Sequence, residues 1–265
     1  MEAAAFGYIR QMVKEQAGII VEPGKEYLAE SRLTAVARAH GFAALPQLVA
    51  QLRMRPFGEL HRRVIESLTT NETSFFRDGK PFEALRTTIV PALPPRPITI
   101  WCAAASSGQE PYSVAMMLRE FFPGIAQRTT IVASDLSREM CSRTRDGRYS
   151  SFEVHRGLTD AQIHRFMTPI HTDFVMKPEV RAMLDVREIN LAAALPALPP
   201  VDILLARNVL IYFDAATKLA ILQRLMHALA PGGVLMLGGG ETLLGVEIGL
   251  ERCTSDNKAV WYRRK

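Results

Sequence analysis

The sequence predicts an α/β fold with a mostly parallel sheet, preceded by an all-helical segment. Two observations predict it. From residue 98 onward, short β-rich apolar runs alternate with helical runs, the pattern of strands joined by crossover helices. Before residue 98 there is no strand pattern, and that part ends on the proline cluster Pro91-Ala-Leu-Pro-Pro-Arg-Pro97. A length of 265 residues at 48% hydrophobic composition suits a large domain with a small companion. No apolar run approaches the ~20 residues of a membrane span. Met1-Glu-Ala-Ala-Ala-Phe6 lacks the basic and apolar parts of a signal peptide. A cytoplasmic protein with no membrane insertion is therefore expected. Cys102, Cys141 and Cys253 lie far apart and the histidines show no ligand spacing, so neither a metal site nor a disulfide framework is expected.

The helical segment takes in residues 1–90. Within it, residues 27–40 carry apolar residues at three- and four-residue spacing and stop at Gly41, and 45–52 and 60–68 are shorter amphipathic stretches. Residues 91–97 cannot continue a helix and read as a stiff linker. The α/β domain then occupies 98–265. Strand-like runs are 98–102, 130–134, 184–188, 201–206 and 234–237; helical runs are 111–122, 137–145 and 217–229. Residues 147–183 interrupt the rhythm with a short helix at 159–166 and a short strand-like run at 174–178, and read as an inserted subdomain. Residues 252–264 hold one or two edge strands.

Charge is uneven. Between Arg32 and Arg63 six arginines face a single acid, Glu59, an excess as large as the whole chain's +5. Such a surface attracts nucleic acid, an anionic membrane or an acidic protein, or is simply a solvated helix face.

Ligands of open α/β sheets bind at the carboxyl ends of the strands. Here those ends present Ala103-Ala-Ala-Ser-Ser-Gly-Gln-Glu110, then Asp135, then Asn190-Leu191, then Arg207-Asn208. The first turn has one glycine, Gly108, and lacks the Gly-rich fingerprint that cradles pyrophosphate. Glu110 at its mouth suits a cationic or hydrogen-bond-donating ligand, and Asp135 has the position that accepts ribose hydroxyls. S-adenosylmethionine, phosphate-free and carrying a sulfonium, fits both. Bland readings stand beside these. Ser107-x-x-Glu110 matches a capping box, Asp135 reads equally as a turn residue before a helix capped by Ser137, Asn208 as a loop amide and Tyr212 as a core aromatic. In the helical region, Thr69-Thr-Asn-Glu-Thr-Ser-Phe-Phe-Arg-Asp78 mixes polar and aromatic character, as a lid over the crevice would; an ordinary helix connection pinned by Phe75 and Phe76 is the alternative.

Together these residues resemble the chemotaxis receptor methyltransferases, the CheR family. The likeness rests on Thr70-Asn-Glu-Thr-Ser-Phe-Phe-Arg-Asp78, Trp101-Cys-Ala-Ala-Ala-Ser-Ser-Gly-Gln-Glu-Pro-Tyr-Ser113, Ser134-Asp-Leu-Ser137 and Arg207-Asn-Val-Leu-Ile-Tyr-Phe213, in matching order and spacing, and covers nearly the whole chain. It implies a class I S-adenosylmethionine-dependent methyltransferase domain with an inserted three-stranded β-subdomain and a helical N-terminal domain. It implies that Asn71, Thr73, Arg77, Glu110, Asp135, Asn190, Leu191 and Asn208, with Arg207 beside them, bind S-adenosylmethionine. It also implies the reaction: methyl transfer to glutamates on the cytoplasmic helices of chemoreceptors, giving methyl esters and S-adenosylhomocysteine.

A glutamate with pKa near ~4.3 is already ionised at neutral pH, so no general base is required. Proximity and orientation then carry the catalysis, a contribution that reaches roughly 7–11 kcal/mol in favourable systems. Arg77 and Tyr212 are expected to orient the acceptor carboxylate, with Arg77 alternatively holding the methionyl carboxylate of the cofactor. Arg53, Arg55, Arg62 and Arg63 are expected to dock the glutamate-rich receptor helix. Departures from the family pattern are Ala105, often Cys in relatives; Gly238-Gly-Gly-Glu241, where many members have Gly-His-Ser-Glu; and the short, glycine-free Phe166-Met-Thr-Pro-Ile-His-Thr-Asp-Phe174, from which no binding of a receptor's C-terminal pentapeptide tether is expected. A monomer that binds no nucleic acid is expected. The rival readings are a methyltransferase acting on nucleic acid or another acidic protein, and an S-adenosylmethionine-binding sensor without turnover.

Overall fold

The computed structural model describes residues 1–243, 249–256 and 258–265. It divides into two compact units, Met1–Thr70 with Tyr212–Lys218, and Asn71–Ile211 with Leu219–Lys265.

The first unit holds helices α1 (Ala3–Ala17), α2 (Glu26–Ala39), α3 (Leu45–Met54) and α4 (Glu59–Leu68). Each end has a local cause. Gly18 stops α1 in the left-handed region (φ 71), its N–H returning to the Lys14 carbonyl, and Pro46 sits in the first turn of α3, where its missing N–H costs nothing. Ile9, Val13, Leu33, Leu48, Leu52 and Val64 form the core, each side chain contributing roughly 1.5–3 kcal/mol on burial. His61 is buried with them. Its Nδ1 accepts from the Gly58 N–H (3.2 Å), so Nε2 carries the proton it gives to the Leu52 carbonyl (2.9 Å). The returning segment joins by an Ile19–Phe213 bridge and a Lys14–Asp214 ion pair of 3.0 Å.

The second unit opens with α5 (Lys80–Ala84), which runs through a π turn (Leu85–Ile89) into a 3-10 turn (Val90–Ala92). Then follow β1 (Ile98–Ala103), α6 (Gln109–Phe121), α7 (Pro123–Ala126), β2 (Thr129–Asp135) and α8 (Arg138–Asp146). The insertion comprises β3 (Arg148–Ser150), α9 (Ser151–His155), α10 (Asp160–Phe166), β4 (Met167–Ile170), β5 (Asp173–Met176) and α11 (Pro178–Arg181). β6 (Leu184–Glu188), β7 (Val201–Ala206), α12 (Ala215–Ala228), β8 (Leu229–Leu237), β9 (Leu250–Thr254) and β10 (Val260–Arg264) complete the chain.

Among the described residues the main sheet has seven strands in the order β6-β2-β1-β7-β8-β10-β9, with β6 to β8 parallel and β10 antiparallel to both its neighbours. The order reverses between β1 and β7, which is where a crevice for ligands opens. Ile100, Trp101, Cys102, Ile131, Leu204 and Leu205 are fully or almost fully buried, as expected of central strands covered on both faces. A separate three-stranded sheet, β3-β5-β4, is the inserted subdomain.

The structure bears on three sequence expectations. Helical structure does continue to Ala92, but the first compact unit closes at Thr70. Phe75, Phe82, Leu85, Ile89 and Val90 are buried in the core of the sheet-bearing unit, which claims this stretch. The proline cluster is braced. Arg128 donates to the Pro94 carbonyl (2.7 Å), and Arg96 forks onto the buried Asp202 of β7 (2.6 and 3.2 Å), which also accepts the Thr99 N–H (2.9 Å). Finally, the terminal stretch contributes one edge strand, β9, within the expected one or two, while β10, with Trp261 and Tyr262 buried, lies beside β8.

Candidate functional site

The turn from β1 into α6 carries three left-handed residues, Ala104 (φ 55), Ser106 (φ 52) and Gly108 (φ 93). For the two that are not glycine this costs about 1–3 kcal/mol each, so the surroundings must fix it. They do so from four directions. Asp135 Oδ2 accepts the Ser106 N–H (2.8 Å), the Ser134 carbonyl accepts the Ala105 N–H (2.8 Å), Thr144 Oγ1 donates to the Ser106 carbonyl (3.1 Å), and the Tyr149 hydroxyl donates to the Ser107 carbonyl (2.7 Å). Gly108 has a packing reason: a Cβ there would lie 2.8 Å from Thr144 Cγ2 and 3.0 Å from the Tyr149 hydroxyl. The single glycine of this turn therefore serves the fold of the turn itself.

Glu110 is not a helix cap. Its Oε2 takes a 2.6 Å ion pair from Arg207 Nη1, and its side chain is 12% exposed. Burial raises the Glu110 carboxyl above the usual carboxylate range, with Arg207 opposing. Arg207 itself is sealed in. Nη2 donates to Asp78 Oδ2 (2.8 Å) and to the Arg77 carbonyl (2.9 Å), and the guanidinium lies over the Phe82 ring (5.7 Å). Arg207, expected among the cofactor-binding groups, is a hub joining the 71–78 segment, the β1 turn and the end of β7. One buried donor, its Nε–H, has no partner among the described residues.

Asp135 ends β2. While Oδ2 holds Ser106, Oδ1 accepts the Ser137 N–H (2.9 Å), and Ser137 caps α8 through the Met140 N–H. Asn190 and Leu191 follow β6, next to Asp135 through the Ile189 N–H to Asp135 carbonyl bond (3.0 Å); Asn190 Oδ1 turns the chain by accepting the Ala192 N–H (3.0 Å). Asn208, after β7, is left-handed (φ 57). Its N–H donates to Glu241 Oε2 (2.8 Å).

Segment 71–78 docks on this turn. Ser106 Oγ donates to the Asn71 carbonyl (2.8 Å), and the Phe76 N–H donates to Ser113 Oγ (2.9 Å). Phe75 is buried edge-on against Tyr149 at 5.0 Å between centroids. Thr73 and Arg77 are half-buried, and Arg77 Nη1 donates to the Glu72 carbonyl (2.9 Å). Asn71, Thr73, Arg77, Glu110, Asp135, Asn190, Leu191, Arg207 and Asn208 thus belong to one unit, around the strand ends.

The remaining candidates lie in the other unit. Tyr212 ends a 3-10 turn (Leu210–Tyr212), half-buried, its carbonyl accepting the Ile20 N–H (2.9 Å). Arg53, Arg55 and Arg62 are exposed; Arg53 donates to the Ala4 carbonyl (2.9 Å) and stacks over Tyr8 (5.1 Å). Arg63 is already paired with Glu59 (3.2 Å) and Glu66 (3.5 Å). Two residues escaped sequence reasoning, Asp78 and Glu241. Asp78 closes a conspicuous motif; Glu241 binds backbone N–H groups, which leave no mark in a sequence.

The donor set fits S-adenosylmethionine. Glu110 and Asp135 are carboxylates suited to an amine and to ribose hydroxyls. The orphaned Arg207 Nε–H is a donor awaiting an acceptor, such as an amino-acid carboxylate. Two acids beside a turn whose glycine is filled against make a poor cradle for pyrophosphate.

Comparison with known proteins agrees. The all-alpha domain of the CheR methyltransferases matches residues 4–69, and their SAM binding domain matches residues 71–259. The chain is 37% identical over 250 residues to chemotaxis protein methyltransferase Cher2 of Pseudomonas putida, covering 91% of each. It is 36% identical over 249 residues to chemotaxis protein methyltransferase 1 of Pseudomonas aeruginosa, covering 91% of this chain and 90% of that one. Among solved structures, a TehB-like SAM-dependent methyltransferase from Corynebacterium glutamicum is a distant likeness, with TM-score 0.41, 12% identity, and 67% of this chain and 84% of that chain covered.

Proposed function

This chain belongs to the CheR methyltransferase family, and from that premise we propose that it methylates glutamate side chains on the cytoplasmic helices of a chemoreceptor, giving methyl esters. Bound S-adenosylmethionine supplies an electrophilic methyl group on a sulfonium. Asn71, Thr73, Glu110, Asp135, Asn190, Leu191 and Asn208 hold it, and Arg207 fixes Glu110 while offering its Nε–H.

The observation that carries this reading is the closure of segment 71–78 onto the β1 turn through Ser106, Ser113 and Arg207. It brings the polar groups of two distant motifs together at the strand ends. The acceptor glutamate is ionised at neutral pH, so the protein has no proton to remove from it. Its task is to orient a carboxylate, a role we assign to Arg77. The exposed Arg53, Arg55 and Arg62 supply a cationic face for an acidic helix, with Arg63 contributing less because Glu59 and Glu66 already neutralise it. β4 and β5 are joined by the two-residue turn His171-Thr172, with Ile170 paired to Asp173. So tight a hairpin, with no glycine at its tip, supports the absence of a pentapeptide tether site.

The test is incubation with methyl-labelled S-adenosylmethionine and receptor-bearing membranes. Label released as methanol by mild base is expected. Label that survives base, label on nucleic acid, or none on receptor would sink the proposal.

A further inference from the structure

Glu241 follows β8 and has no role in the chemistry described so far. Its carboxylate nevertheless collects three backbone N–H groups. Oε2 accepts from Asn208 (2.8 Å) and Gly238 (2.8 Å), and Oε1 accepts from Leu210 (2.7 Å). The Glu241 N–H in turn donates to the Gly238 carbonyl (2.9 Å), which folds the residue back over the end of its own strand. The result is a clamp between two neighbouring strand ends, β7 and β8. It holds Asn208 in its left-handed conformation, which a non-glycine residue leaves readily unless something retains it.

The clamp also explains Gly238. A Cβ there would lie 2.7 Å from Asn208 Nδ2, 2.8 Å from Asn208 N and 2.8 Å from Glu241 Oε2. Position 238 must be bare for the carboxylate and the asparagine to meet. Gly239 and Gly240 have open space around their Cβ positions, so the packing need is confined to Gly238. Charge-assisted bonds to backbone N–H groups are the stronger kind, and three on one carboxylate make a rigid joint.

We propose that Glu241 is a positioning residue for cofactor binding: its carboxylate sets the backbone of Asn208 and Leu210, and through it the Asn208 side chain. This rests on the reading that Asn208 touches the cofactor. Glu241→Ala removes all three bonds, and Glu241→Gln keeps one acceptor oxygen and so restores part of the clamp. Gly238→Ala wedges the clamp open from the opposite side with the carboxylate still present.

The measurement is calorimetric affinity for S-adenosylhomocysteine, with melting temperature and the KM for receptor followed in parallel. For Glu241→Ala the affinity is expected to fall about fivefold or more with the receptor KM unchanged, Glu241→Gln falling in between. A smaller change overturns the proposal. So does a loss of affinity matched by equal losses in melting temperature and receptor KM, which marks general damage. If Glu241→Ala does not fold, Gly238→Ala decides on the same criterion, and failure of both to fold also overturns it. Asn208→Ala judges the underlying reading separately: unchanged affinity there removes Asn208 from the cofactor site whatever the Glu241 variants do.

Discussion

Replacing Arg207 by Met should expose what holds the site together. The variant keeps a straight apolar stem over Phe82 and removes the guanidinium from Glu110, Asp78 and the Arg77 carbonyl. Asp78 is 48% exposed, so losing its partner costs little, about 0–1 kcal/mol. Glu110 is only 12% exposed, and an uncompensated buried carboxylate costs roughly 3–5 kcal/mol. The deficit should depend on pH in a definite direction. Burial already raises the Glu110 carboxyl, and Arg207 is the largest influence lowering it, so the variant's Glu110 titrates higher still. A carboxyl whose folded pKa is raised destabilises the fold above that pKa and ceases to do so below its unfolded value. The deficit is therefore largest at about pH 8 and shrinks as pH falls. Urea unfolding of both proteins, followed by fluorescence of the fully buried Trp101, measures it at about pH 8 and about pH 5.5. A deficit under about 1 kcal/mol at the higher pH, or one equal at both, would refute the reasoning.

Three further outcomes follow from the same geometry. Gly157→Ala drives a Cβ into the Phe75 carbonyl oxygen, so it should push segment 71–78 off its seat, cost roughly 1–3 kcal/mol in urea unfolding and weaken S-adenosylhomocysteine binding; wild-type values for both would count against that seat. Arg62→Glu should raise the receptor KM at low salt more than Arg63→Glu, with both effects fading as salt screens them, whereas equal effects at every salt concentration would remove the docking face. The Thr217 N–H, with Lys14 assisting, pulls the Asp214 carboxyl down to about 2, so its contribution persists above the ordinary carboxylate range and is lost only as pH falls through that value; a carboxylate NMR titration with a midpoint near ~4 would contradict this.

The alternating period after residue 98 reveals the parallel strands, because strands buried on both faces must be apolar and crossover helices must be amphipathic. The same logic misplaces the first boundary. A helix that packs on the sheet, such as Lys80–Ala84, has the composition of one that packs on other helices, and only contacts separate them. In the crevice, Glu110 and Asp135 are legible as charges at strand ends, but which of their oxygens face the protein is not. Arg207 reads from sequence as a ligand-facing cation, and its 1% exposure depends on Phe82 and Asp78, more than a hundred residues away. Glu241 is the least legible of all, since its partners are three backbone N–H groups and position 238 shows only that it is glycine.

Asp135 brings together two readings that look exclusive in sequence, turn residue and ligand. Its oxygens hold Ser106 N–H and Ser137 N–H at 2.8 and 2.9 Å, so the turn reading is sound. Those two backbone bonds also fix the orientation of the carboxylate relative to the turn. Holding the turn is thus how the group is preorganised, and a ligand that meets it need not reorient it. Asp135→Asn separates the ideas. One oxygen becomes an NH2, so the remaining oxygen can accept from only one of the two N–H groups and the NH2 faces the other as a second donor. Stability should fall by roughly 1–3 kcal/mol, and affinity for S-adenosylhomocysteine should fall with it. The rise in melting temperature on adding saturating S-adenosylhomocysteine should therefore be smaller in the variant than in the wild type. A variant that is less stable yet gains the full wild-type rise would show that Asp135 serves the turn alone.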